Sequence, residues 1–392
     1  MKGKAIAAAL LAALLLFGYN GVAQAAPVRK VTARAACVLE QTSRRVLFEQ
    51  NAHERLPMAS CTKIMTALVA LEHGKLTDTV KVSARAAGVE GSSIYLKQGE
   101  ELTLEDLLYG LMLASGNDAS IAIAEHIGGS VDGFLAMMNE RAREIGALDT
   151  HFATPNGLDT EGHYTTAYDL ALIAACAMDN SDFCRIVGTQ NRSMPYDGVA
   201  NGRVVRNKNK LLRTYEGANG VKTGYTGDAG RCFVGAARRE GMQLIGVVLR
   251  CGPMFEETAA LLDNAFAEYD MLPVTVADQA FGRVATDEGV ESTVDYGAAR
   301  EVLLPLTKEE QERIVLQLAL WEPAATPITA GQAVGEARAL LDGKTLSQFP
   351  LVALGDVERR NYFWYIQRVI EGMRWKTNGE ESGSRSIWPL TG

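Results

Sequence analysis

Val221-Lys222-Thr223-Gly224-Tyr225 reads as a strand, and Arg231 to Ala237 and Leu244 to Leu249 follow it as two more, separated by Gly-bearing turns. Ahead of them the apolar period changes to that of helices. One begins near Ser60, runs through Ile64, Leu68 and Leu71, and stops at His73-Gly74, where glycine ends it. Thr103-Leu104-Glu105-Asp106 is a capping-box-like start for a very apolar helix that runs into Ser115-Gly116-Asn117. Ile121 to Ile127, Phe134 to Ile145 and Tyr168 to Met178 continue the helical pattern, and Glu256 to Tyr269 adds a last helix. Val38 to Phe48 reads as two short strands around Gln41-Thr42-Ser43. Helices in the middle with strands on either side predict an α+β fold, with one antiparallel sheet whose strands come from both ends of the domain.

The flanks have a different character. Lys2 and Lys4, the apolar run Ala5 to Phe17 and Ala23-Gln24-Ala25 form the three-part pattern of a secretory signal peptide over residues 1–25. A catalytic domain is expected over 26–273. Pro273 marks a boundary, and 274–357 carries short alternating runs punctuated by Gly and Pro, as in a small β-rich domain. Residues 358–376 set Tyr362, Ile366, Val369, Ile370 and Met373 at helical spacing, among aromatics and arginines. That pattern describes an amphipathic helix lying in a membrane surface. Residues 377–392 read as a polar, disordered tail.

The chain has 392 residues and a formal net charge of -8, which argues against a nucleic-acid partner. Six cysteines occur without a C-x-x-C pair and read mainly as small buried apolar residues. There is no H-E-x-x-H and no G-x-S-x-G, and the five histidines lack ligand or triad spacing. No metal or cofactor is called for.

Three short stretches carry chemistry. In Ser60-Cys61-Thr62-Lys63, residues 60 and 63 lie one turn apart on a helix. A serine hydroxyl needs a base, and a lysine made neutral by burial and a second cation can serve. Ser115-Gly116-Asn117 offers a hydroxyl to pass protons between Lys63 and a leaving amine, and a carboxamide to hold a substrate amide. Lys222-Thr223-Gly224 offers that second cation, a hydroxyl for a carboxylate, and a glycine against which a substrate backbone can lie. Each stretch alone also fits a cap or a turn; their joint occurrence in this order points to acyl transfer by a serine hydrolase.

These residues resemble the penicillin-recognising serine enzymes, whose domain combines an antiparallel sheet flanked by helices with a helical subdomain. The surroundings are similar to one branch, the low-molecular-mass penicillin-binding proteins of the peptidase S11 serine D-alanyl-D-alanine carboxypeptidases. Leu113 to Ala119, Thr154 to Leu158, His163 to Ala171 and Asn207 to Leu212 carry that similarity. The resemblance implies Ser60 as nucleophile, Lys63 as general base and Ser115 as proton relay, with Asn117 and Lys222 beside them. Lys208, Lys222, Thr223, Gly224 and Tyr225 would bind substrate, and the backbone N–H groups of Ser60 and Tyr225 would form the oxyanion hole. The substrate would be peptidoglycan stem peptides ending in D-Ala-D-Ala, with β-lactam antibiotics as acylating mimics.

The chain departs from the family in two places. Cys61 stands where an aliphatic residue is usual. Gly252 to Glu257 lacks the arginine that members often carry near the substrate carboxylate, which leaves Thr223 and Lys208 for that task. A β-lactamase would need a Glu-x-x-Leu-Asn-like run, which the 154–170 stretch lacks, and a non-catalytic wall-binding protein would have no use for the intact nucleophile and lysines. The resemblance also implies export across a bacterial cytoplasmic membrane and peripheral anchoring through the 358–376 helix.

Overall fold

The computed structural model describes residues 30–194 and 202–379. The expected leader and the tail beyond Gly379 lie outside them. The chain divides into two compact units after Asp270.

In the first unit, β1 (Ala35–Glu40), β2 (Val46–Gln50), β3 (Ala218–Thr226), β4 (Gly230–Arg239) and β5 (Met242–Leu249) form one antiparallel sheet in the order β2-β1-β5-β4-β3. The first two strands therefore join the last three, with β1 pairing along β5 from Ala35↔Leu249 to Glu40↔Leu244. Every residue of β1 and β5 is buried. Burial at each successive position means that both faces of the sheet centre are covered, which explains why these strands read as unbroken apolar runs. Gly235 and Gly246 make room for this packing, because a Cβ at either would crowd Thr258 of the helix Met254–Glu268.

The helix α1 (Lys63–His73) is buried from Lys63 through Ala70 and runs through the core. It does not begin at Ser60 as the pattern suggests. A tight 3₁₀ turn, Ala59–Thr62, comes first and packs against β3. The apolar helix α2 (Leu104–Tyr109) widens into a π-turn over Gly110–Ala114 and ends at Ser115 in the left-handed region, φ 66°. Such widened turns recur at functional sites because they redirect the following residues. Here the chain re-enters helix at once as α3 (Asn117–Gly128).

Asp118, in the first turn of α3, is buried and ties that turn to the segment before α2. Its carboxylate accepts from Ile94 N–H at 3.0 Å, Leu96 N–H at 3.0 Å and the Ser93 hydroxyl at 2.6 Å.

The second unit is built on a six-stranded sheet with its own core, which includes Val284, Leu304, Leu306, Ala337 and Leu351. A helix, Tyr362–Gly379, follows. Tyr362, Phe363, Ile366, Val369, Ile370 and Met373 are exposed on it. Arg360 and Arg368 stack on the Trp364 ring at 4.7 and 5.4 Å. Arg359 is engaged by Glu288. Among the described residues, no helix is long and apolar enough to cross a membrane.

Asp118→Asn turns an amide N–H₂ toward the backbone N–H groups of Ile94 and Leu96, which can only donate. We expect it to cost about 2 kcal/mol, read as a lower urea midpoint at unchanged m-value; an unchanged midpoint would show that this carboxylate does not hold the 93–96 segment.

Candidate active site

Ser60 sits in the 3₁₀ turn, after Ala59 at φ 49°. A left-handed alanine is uncommon and must be held in place. Ala59's carbonyl accepts from the Thr62 hydroxyl at 2.8 Å, and Thr62 Oγ1 lies 2.8 Å from His163 Nε2. His163 Nδ1 accepts from Ala153 N–H at 3.1 Å, which puts the ring proton on Nε2 and makes the ring donate to Thr62. Burial lowers the His163 pKa to about 4, so the ring is neutral. Gly157, at φ 85°, presses on the same turn, and a Cβ there would collide with the Ala59 carbonyl. Sequence spacing pointed to neither residue as part of the site. The signal for His163 was its place after the Thr154 to Leu158 stretch.

Lys63 is fully buried. Its Nζ lies 2.9 Å from Ser60 Oγ, 2.8 Å from Asn117 Oδ1 and 2.5 Å from the Asn156 carbonyl. Burial, then the charges of Lys222 and Lys208, drive its pKa well below the ordinary lysine value. A neutral amine has two protons and one lone pair. The two carbonyl-type oxygens can only accept, so they take the two protons, and the lone pair is left for the Ser60 hydroxyl. The arrangement can therefore abstract a proton from serine.

Lys222 Nζ donates to Ser115 Oγ at 3.0 Å and to the Thr223 carbonyl at 2.8 Å. Burial brings its pKa down to about 7. Two expectations change here. Among the described hydrogen bonds, Ser115 is joined to Lys222 and not to Lys63. Asn117 is largely occupied by the protein, because its Oδ1 receives Lys63 and its Nδ2 donates to the Glu90 carbonyl at 2.7 Å. It holds the lysine first, with one N–H left over.

Gly224 also differs from expectation. A Cβ there would meet the Met58 carbonyl at 2.9 Å and Ser60 N at 3.1 Å. The glycine thus admits the Ser60 turn itself to β3, which leaves Tyr225 exposed at the edge. Cys61 is buried behind the turn with Sγ 3.7 Å from the Lys222 carbonyl, and burial pushes its thiol pKa up. It serves as a small apolar filler. A cavity of about 450 Å³ opens over Ser60, Ser115 and Thr223, with Lys208 on its wall. Among the described residues no carboxylate lines it. Among the described residues no His, Cys, Asp and Glu cluster suits a metal.

Residues 20–252 match the peptidase S11 D-alanyl-D-alanine carboxypeptidase family. The chain belongs to that family. In this S11 member, residues 269–359 match the C-terminal domain of penicillin-binding protein 5. D-alanyl-D-alanine carboxypeptidase DacF of Bacillus subtilis is 34% identical over 86% of this chain and 89% of its own length. DacC of Escherichia coli is 33% identical over 89% of this chain and 91% of its own. Penicillin-binding protein 5 from Haemophilus influenzae superposes with a TM-score of 0.69 at 28% identity, covering 84% of this chain and 98% of that one. The fold is of that kind, a transpeptidase-like domain with helices and sheet followed by a β-rich one.

A base that works unprotonated gives a rate that rises with pH through its pKa. Lys222→Gln removes a like charge that depresses Lys63. We expect the rising limb of the penicillin-acylation rate to move to higher pH in that variant, and an unmoved limb would contradict the coupling.

Proposed function

We propose that this S11 carboxypeptidase cleaves the terminal D-alanine from peptidoglycan stem peptides through an acyl-enzyme on Ser60. The observation that carries the assignment is the fully buried Lys63 amine, 2.9 Å from Ser60 Oγ, with both its protons committed to other acceptors. Lys63 takes the hydroxyl proton as Ser60 Oγ bonds to the penultimate carbonyl carbon. The N–H groups of Ser60 and Tyr225 stabilise the oxyanion. The C–N bond then breaks, and the departing D-alanine nitrogen receives a proton through Ser115, supplied from the lysine pair. Water attacks the ester carbon and gives its proton to Lys63, the C–Oγ bond breaks, and Lys63 returns a proton to Ser60 Oγ as the shortened peptide leaves with the new carboxyl group. β-Lactams acylate the same serine through their strained amide. Thr223, with Lys208 on the cavity wall, receives the substrate beside β3.

The leader-like 1–25 segment supports export, with the catalytic unit working outside the cytoplasmic membrane. The exposed apolar side chains of Tyr362, Phe363, Ile366, Val369, Ile370 and Met373 support a helix that lies in the membrane surface. Arg360, stacked on Trp364, is available to anionic headgroups, whereas Arg359 is taken by Glu288 and Arg368 pairs with Glu371 at 3.8 Å.

Ser60→Ala should neither release D-alanine from a D-Ala-D-Ala peptide nor become labelled by penicillin, while its melting curve stays that of the wild type. A labelled Ser60→Ala protein would refute the assignment. Lys63→Arg should be nearly inactive at every accessible pH, because a guanidinium does not deprotonate; substantial turnover would exclude Lys63 as the base. Mature protein truncated after Asp356 should keep carboxypeptidase activity and lose binding to anionic vesicles at low salt. Equal binding by the truncated and full-length forms would remove the helix from that role.

A further inference from the structure

We infer that Arg231 binds the C-terminal carboxylate of the substrate, a task for which the Gly252 to Glu257 stretch supplies no arginine. This rests on the assignment of Ser60 as the nucleophile.

The argument starts from the strand register. Tyr225 pairs with Arg231 and Thr223 with Phe233 across the antiparallel β3–β4 ladder. Residues opposite each other in such a ladder share a face, as do residues two apart along a strand. Thr223, Tyr225, Arg231 and Phe233 are therefore on one face. Lys222 is on the other, turned to Ser115. Thr223 and Arg231 form a diagonal pair, with Cα atoms about 7–8 Å apart in such ladders, a span that an arginine side chain bridges. Both residues line the cavity that holds Ser60. A peptide laid along β3 with its scissile carbonyl at Ser60 thus carries its free end toward the Thr223 hydroxyl and the Arg231 guanidinium.

The charge on Arg231 is also unspent. It is exposed, and its one described hydrogen bond goes from Nη1 to the Gly252 carbonyl at 3.3 Å. It is in none of the ion pairs among the described residues, whereas Arg34, Arg55, Arg141 and Arg239 each face a carboxylate. In a chain of net charge -8, a guanidinium without an acid at the edge of a cavity without an acid is placed for an anion from outside. The other rim cations fit less well. Lys208 Nζ is 3.2 Å from Ser92 Oγ, and Lys210 Nζ lies over the Phe255 ring at 5.7 Å. Only the arginine presents the planar pair of N–H groups that matches a carboxylate.

The test compares kcat/KM for one peptide ending in free D-Ala-D-Ala and for the same peptide with a C-terminal carboxamide, in the full-length mature enzyme. The wild type should prefer the acid. Arg231→Gln should reduce that preference about 10- to 100-fold, mainly through KM, and Arg231→Lys should keep part of it. If Arg231→Gln keeps the wild-type preference, including the case in which both peptides lose equally, the inference is overturned. Ser60→Ala run alongside separates the two failures. An inactive Ser60→Ala with an intact preference in Arg231→Gln removes only the role of Arg231, whereas turnover by Ser60→Ala removes the site assignment beneath it.

Discussion

Everything in this site depends on two lysine amines that water cannot reach. Placing one ammonium in a protein interior costs several kcal/mol even after relaxation, and a second one nearby adds repulsion. The chain supplies Lys63 with neutral acceptors, Asn117 Oδ1 and the Asn156 carbonyl, and gives Lys222 a hydroxyl and a carbonyl. With no carboxylate among these partners, the equilibrium shifts toward the unprotonated amine. A buried acid in place of Asn117 would keep Lys63 charged and unable to act as a base. The residue choice and the chemistry are therefore one constraint: the site must bury its lysines and withhold their counter-ions.

That constraint reaches into the fold. The acceptors for Lys63 come from the start of α3 and from the loop before α4 (Ala167–Ala177), so both must be rigid. Asp118 fixes the first by gathering the N–H groups of Ile94 and Leu96, and the loop is locked against the Ser60 turn through Gly157 and through the His163–Thr62–Ala59 chain. A left-handed Ala59 and a left-handed Ser115 are kept because these contacts over-determine them. On the other side, Gly224 lets β3 come within contact of Ser60 N, which puts the edge of the sheet, and not a loop, beside the reacting serine.

Much of this was legible in the sequence, for a physical reason. Strands buried on both faces read as continuous apolar runs, so β1, β4 and β5 could be found, and a helix with a local cap such as Thr103 announces its own start. The three short motifs were also visible, because each sets hydroxyl, amine or amide side chains of the kinds that acyl transfer uses within four residues of one another. What stayed hidden is set by contacts between residues far apart in the chain. Lys63 meets Asn156 across 93 positions, Thr62 meets His163 across 101, and Lys222 meets Ser115 across 107. No periodicity encodes such a pairing. The partner of Ser115, the neighbour that Gly224 admits and the placing of Arg231 opposite Tyr225 were accordingly read from the structure. The π-turn before Ser115 was hidden too, since its sequence is as apolar as the helix it continues.

The central claim is that Lys63 is a neutral amine when the enzyme works. It is tested most directly by titrating the lysine side chains of ¹³C-labelled mature enzyme by NMR, following the Cε shift and assigning Lys63 through its absence in Lys63→Arg. The account predicts that Lys63 titrates well below the lysine value of about 10.4 found in model peptides, with Lys222 also lowered. A Lys63 that stays charged up to that ordinary value would contradict it.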